Sequence, residues 1–378
     1  MHNMFYKCYA LKYLNIQSFN TASVDNMSGM FYYCKSLTSL DLSHFDTSKV
    51  TDMYDIFHNC LTLQYLDISN FDTSLITNFK KMFCGCNSLT TLDLSSFNTN
   101  KAENMEEMFN DCLKLISLDI THFDTSLVTR MERFFKNCAL ITSLDLSNIK
   151  TNLIQNMSYM FDGCELLTSL DLSHFNTSLA NNTQNMFNGC KNLVSLDLSN
   201  FDTSLVTNMK NMFNGCENLK YLNITNFDIS NDNTMEQMFM DCYSLSSIEL
   251  SNFKDSNVIS LERMFYNCNS LVSLNLSNFI ISSVTNMTSL LEGCSNLDYI
   301  NFKSFDENDN LDISNIFSDT PDELIYCVNN VFNIPKIYSE LKIKECAFKD
   351  CEFEWEENKG KRLEEKKKVL KYLMINVF

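Results

Sequence analysis

Only seven glycines, two prolines and a single tryptophan occur among the 378 residues. So few chain-breakers exclude collagen-like, disordered and linker-rich architectures. No run approaches eighteen consecutive apolar residues, which argues against a membrane-spanning helix. The opening stretch MHNMFYKCYALKYLNI has no basic segment followed by an apolar one, so no signal peptide is expected. Positive charge is scarce too: 29 Lys and Arg stand against 47 Asp and Glu, a net charge of −18. That balance opposes nucleic-acid binding, because phosphate backbones are held by basic surfaces. Gly-rich phosphate loops, HExxH and Ser/His/Asp arrangements are missing, so no catalytic residue, cofactor or metal is expected.

What the sequence has instead is repetition. Residues 37–48 read LTSLDLSHFDTS and residues 167–178 read LTSLDLSHFNTS. Cysteine recurs every 26 residues from Cys8 to Cys294, twelve times without an insertion. A phenylalanine stands three residues before each from Phe5 to Phe265, with Leu291 last, and a second column runs from Phe19 to Phe305 with Ile149 as its exception. A fixed period of this size marks a stacked repeat with one supersecondary unit per period. Residues 320–378 hold eleven acidic and eleven basic side chains, so the net −18 belongs to residues 1–319. Both prolines and Trp355 also lie beyond 319. Two regions follow: a repeat solenoid over 1–319, whose N-terminal coil is incomplete, and a C-terminal cap and charged tail over 320–378.

One unit, Leu37 to Cys60, shows the expected coil. Leu40 and Leu42 alternate with Ser39, Asp41 and Ser43, the period of a half-buried strand. Val50, Met53, Ile56, Phe57 and Cys60 lie at offsets 0, 3, 6, 7 and 10, a helical face. Ser48 or Thr51 is a candidate cap, and Asp46 supports the turn before it. The residue before each cysteine is Gly, Asn or Asp in most units and takes five of the seven glycines. These residues tolerate left-handed backbone, so the coil is expected to end there. A less helical variant, with a second strand at Val50–Met53 and one helical turn, fits the same spacing. About nine apolar positions per coil would face inward, worth roughly 1.5–3 kcal/mol each when fully buried. Because no coil buries them alone, stacking must supply the stability. The expected fold is α/β: a right-handed solenoid of about twelve 26-residue coils, one parallel sheet face opposite short helical turns.

The LxxLxL pattern followed by an aromatic or small core residue resembles the leucine-rich repeat. More closely, FDTSxVTxMxxMFxxCxxLxxLDLS, as in Phe201–Ser204 and Val206 onward through Cys216, is similar to the 26-residue repeat of BspA-type surface proteins, over residues 1 to about 317. The resemblance implies a cell-surface or secreted protein used for adhesion to a host or neighbouring cell. It carries no catalytic residues.

Several columns invite a chemical reading. The periodic cysteines are in phase with the apolar face and read as small buried hydrophobes. Cys84 breaks the pattern and is expected at an exposed outer position. Cys327, Cys346 and Cys351 can form one disulfide, whereas a zinc site would need a fourth ligand. His44, His122 and His174 share a turn position that Asn fills in other coils. Lys366–Lys368 reads as a solvated helix face. Phe187 is expected in the core and Asn188 exposed.

The column that stands out is the outward acid of the strand: Asp41, Asp67, Asp93, Asp119, Asp145, Asp171 and Asp197, then Asn223 and Glu249. Tyr65 and Tyr221 stand two residues before the column. Like charges about 5 Å apart are expected to raise one another's pKa values. These residues are the candidate ligand face, since solenoids bind through surfaces built by repetition. The expected function is non-enzymatic: a surface binding or adhesion module engaging a protein or other cell-surface macromolecule, with a basic one among the candidates. The alternative is a spacer rod that projects another domain.

Overall fold

The computed structural model describes residues 1–254 and 257–344 and the backbone of residues 347 and 348. Over them the chain winds as a parallel β-solenoid of about eleven turns with little helix. Regular strands are only two or three residues long: β1 Ser39–Asp41, β2 Tyr65–Asp67, β3 Ser195–Asp197, β4 Tyr221–Asn223, β5 Ser273–Asn275, β6 Tyr299–Asn301, β7 Ile325–Cys327 and β8 Ala347–Phe348. They pair in parallel as β1-β2, β3-β4 and β5-β6-β7-β8. Ser39 faces Tyr65, Ser195 faces Tyr221 and Ser273 faces Tyr299. Each strand is short for a local reason. The residue closing it, such as Asp41, takes the backbone N–H of Ser43 on Oδ1 at 3.0 Å, which diverts the chain into an Asx turn.

The expected helix over Val50–Cys60 is not formed. An α-helix bonds each N–H to the carbonyl four residues back. Here alternate residues do two other things. Asp55, Phe57 and Asn59 donate to Lys80, Met82 and Cys84 of the next coil at 2.7–3.3 Å, while Ile56, His58 and Cys60 donate back three residues at 3.1 Å. The segment is thus a run of linked turns that also fastens one coil to the next. The expected left-handed column is present, from Lys7 (φ 59°) and Tyr33 (φ 59°) through Asn59 (φ 60°) and Gly85 (φ 73°) to Gly293 (φ 79°). A second lies four residues earlier, at Asp55, Lys81, Glu107, Arg133 and Tyr159 among others, with φ of 57–60°. Left-handed backbone costs a residue with a Cβ roughly 1–2 kcal/mol, which the inter-coil bonds offset. A Cβ at Gly85 would meet Asn59 Oδ1, so that side chain would have to turn aside.

Inside, the phenylalanines before the cysteines form one ladder. From Phe5 to Phe265 successive rings lie 5.3–5.9 Å apart, with planes within 18° of parallel. The cysteine column packs beside it, and each thiol also bonds. Cys60 Sγ donates to the Phe31 carbonyl at 3.3 Å, and the pattern holds from Cys34 to Cys294. That carbonyl already accepts the N–H of Cys34 at 3.0 Å, so the thiol satisfies its second lone pair.

Past Thr320 the stack continues: β7 pairs with β6 and β8 with β7. Helix α1, Pro335–Ile343, buries Ile337 and Leu341. Its first N–H groups are taken by Glu307, from Lys336 at 2.9 Å and Ile337 at 2.8 Å. Cys327 is disulfide-bonded; Cys346, Cys351 and Lys366–Lys368 lie outside the described residues.

Candidate binding face

The strand segments place the seven aspartates in one column on the outside of the stack. Six are exposed and Asp67 is half-buried. Tyr65 and Tyr221 are 56% and 72% exposed, two residues upstream in their coils, and the Tyr65 hydroxyl donates to Asp67 Oδ2 at 3.2 Å. Every aspartate makes the same turn, with Oδ1 accepting the backbone N–H two residues on at 2.9–3.1 Å. Gln17 Nε2 donates to Oδ2 of Asp41 at 3.3 Å.

The electrostatics run opposite to the expectation of mutual repulsion. All seven carboxyls are held below the usual range. For Asp41, Asp67, Asp119 and Asp145 the largest cause is the hydroxyl of Ser43, Ser69, Thr121 or Ser147. For Asp93, Asp171 and Asp197 it is the backbone amide of Ser95, Ser173 or Ser199. Repulsion from Asp41 on Asp67, and from Asp119 on Asp145, pushes the other way and is smaller. Hydrogen bonds to a carboxylate at contact distance outweigh a like charge one coil away that is screened by water.

The column is not required by the turn. Asn223, Asn275 and Asn301 hold the same place and accept the same N–H at 3.3, 3.0 and 2.9 Å. A neutral amide therefore serves the fold, and the charge of the other seven is additional to it.

Other sequence readings change on contact with the structure. Cys84 is buried rather than exposed: Asn110 Nδ2 donates to its sulfur at 3.4 Å, and burial pushes the thiol up to about 12. Neighbouring coils roof that column, which single-coil periodicity cannot show. Asn188 is half-buried, with Nδ2 donating to Asp162 Oδ1 at 2.6 Å. His44 and His122 tie coils together, their Nε2 atoms 3.0 Å from the Ile16 and Leu94 carbonyls. His174 lies edge-on to Phe175. Among the described residues no group of three or more His, Cys, Asp or Glu is placed to hold a metal.

One structural column escaped the sequence reading. The threonine two residues after each aromatic or Ile of the second column is buried from Thr21 to Thr203. From Thr47 onward its hydroxyl donates to a carbonyl 25 residues ahead and accepts that residue's N–H, as Thr151 does with Asn176 at 2.8 Å in both directions. Its signal was threonine in eight successive coils where serine would have served a surface.

The family model described as "Mycoplasma protein of unknown function, DUF285" matches residues 1–117, 113–196, 185–305 and 249–322. The chain belongs to this family. No curated protein matches the chain. Among solved structures, a crystal structure of a TLR13–ssRNA13 complex aligns at 17% identity and a TM-score of 0.28, over 81% of this chain and 42% of that one. This DUF285 member has, among its described residues, no helix long and apolar enough to cross a membrane.

Proposed function

We propose that this DUF285 member is a non-enzymatic, BspA-like surface module that binds a protein or other macromolecule on a neighbouring cell through its strand face. Asp41 to Asp197 are the contact column, flanked by Tyr65 and Tyr221. The observation that carries this reading is the redundancy of charge: Asn makes the same turn at Asn223, Asn275 and Asn301, yet seven coils in succession carry Asp. Repetition turns a single weak charge into an extended field, which steers a basic partner and is sensitive to salt.

The test is Asp93→Asn/Asp119→Asn/Asp145→Asn. Since Asn keeps the turn, the variant should melt within a few degrees of the parent. Binding of the labelled protein to intact animal cells, read by flow cytometry, should fall about tenfold or more, roughly 1.4 kcal/mol. Parent binding should also weaken as salt is raised. Unchanged binding would assign the column to turn-making alone.

A further inference from the structure

A second surface lies eight residues further along the coil from the aspartates. Leu127, Leu153, Leu179 and Leu205 hold one register position in four successive coils, with Leu75 two coils before them, and all are 38–50% exposed. The residue after each, Ile76, Val128, Ile154, Ala180 or Val206, is fully buried. The fold does not need leucine here. Lys49 and Lys101 fill the position in other coils. Beyond Leu205 it is taken by Asn231 and Asn257, whose Nδ2 atoms donate to the Ser204 and Ser230 carbonyls at 2.6 and 2.8 Å. A polar residue that ties the coils together is available, yet four coils in a row present an apolar side chain to water.

The spacing of the four is set by ladders on both sides. On one, Thr125, Thr151 and Thr177 donate to Lys150, Asn176 and Asp202 at 2.8–2.9 Å. On the other, the N–H groups of Thr129, Asn181 and Thr207 donate to Glu103, Gln155 and Asn181 at 2.8–3.0 Å. With neighbouring backbones about 4.8 Å apart, the ridge is roughly 14 Å long. An α-helix laid along the stack advances about 5.4 Å per turn and offers one residue per coil, drifting only about 2 Å over three steps. An extended chain repeats its face every 6.6–6.8 Å or so and slips by about 2 Å at each step. The ridge therefore matches a helix and not a strand.

Charge specifies the rest of the partner. Asp124 and Asp202 stand three residues before Leu127 and Leu205, and Asp228 follows one coil on. The nearby Lys150 is drawn to Asp124 at 3.6 Å. The repeats carry the whole net charge of −18, which disfavours pairing of two copies and favours a basic counterpart. We propose that Leu127, Leu153, Leu179 and Leu205 dock a basic amphipathic helix of another protein, aligned with the solenoid axis.

The probe is a fluorescent synthetic peptide of about six helical turns, with leucines at i, i+4, i+7 and i+11 and lysines on its other face. A scrambled peptide of the same composition is the control, and anisotropy is the readout. The chain should prefer the amphipathic peptide by about tenfold or more, roughly 1.4 kcal/mol. Leu127→Ser/Leu153→Ser/Leu179→Ser/Leu205→Ser should lose that preference while keeping the parent's melting curve. The Asp93→Asn/Asp119→Asn/Asp145→Asn variant should keep the preference, which separates this ridge from the strand face. Should the quadruple variant unfold, Leu179→Ser alone should weaken binding about threefold. Equal binding of both peptides, or an unchanged preference in a folded leucine variant, overturns the proposal. So does a leucine-dependent dimer in sedimentation, or leucine-dependent flotation with neutral phosphatidylcholine vesicles.

Discussion

The coils up to Phe227 and those after it share one architecture but not one set of supports. In the first region the buried threonine ladder runs unbroken from Thr47 to Thr203. In the second, Ile229 and Ile281 stand where threonine would, both fully buried. Asp232 replaces an aliphatic residue, in the column that holds Val206 one coil before and Val258 one coil after. It is completely buried, Oδ1 accepts the Thr234 N–H at 3.1 Å, and Oδ2 has no partner. The turn ladder nevertheless continues, with Phe213, Phe239 and Phe265 donating to Met238, Met264 and Leu290 at 2.9–3.0 Å. The difference teaches that the aromatic core and the turn ladder carry the stack, while the threonine ladder reinforces it and can be dropped.

The largest effect should come from the support both regions share. Phe187 stacks at 5.7 Å on Phe161 and on Phe213, so Phe187→Ala should cost roughly 3–5 kcal/mol in a urea melt. A loss below about 1 kcal/mol would mean the ring ladder is not what holds the coils.

Asp232→Val should stabilise the second region, and the gain should depend on pH. Burial raises the Asp232 carboxyl to about 7, whereas an unfolded aspartate titrates near 3.9 or so. The group's contribution is therefore full below about pH 4 and is lost as pH rises through about 7. The parent should fall behind the variant by about 2–4 kcal/mol between pH 4 and pH 8. A gap that does not change with pH would show that the carboxyl reaches water.

The smallest change tests the reinforcement. Thr151→Val leaves the Asn176 N–H and carbonyl without the hydroxyl they share, at a cost of about 1–3 kcal/mol. Valine matches the shape that isoleucine has at Ile229, so no loss at all would show that the two regions are supported alike.

Much of this was legible one coil at a time. The aspartate column could be placed on the outer face because Leu40 and Leu42 alternate with polar residues. The left-handed column was visible in its Gly, Asn and Asp content. The second left-handed column was not, since Lys81, Glu107, Arg133 and Tyr159 show no preference for that conformation. Nor could spacing separate a helix from linked turns over Val50–Cys60, because both turn a side chain inward every third or fourth residue.

The sequence by itself determined the inward columns and the outward aspartate column, because these follow from side-chain periodicity within a coil. Only the tertiary structure decided where the polar atoms go. The turn-segment amides bond to carbonyls 25 residues ahead, and the cysteine thiols to carbonyls 29 residues behind. The Cys84 sulfur meets Asn110, 26 residues on. The aspartates' lowered pKa values are the exception, since their partners stand two residues on in the same coil. Hydrogen bonds are made at contact distance, and in a solenoid contact is with the next coil, which no reading of a single coil contains.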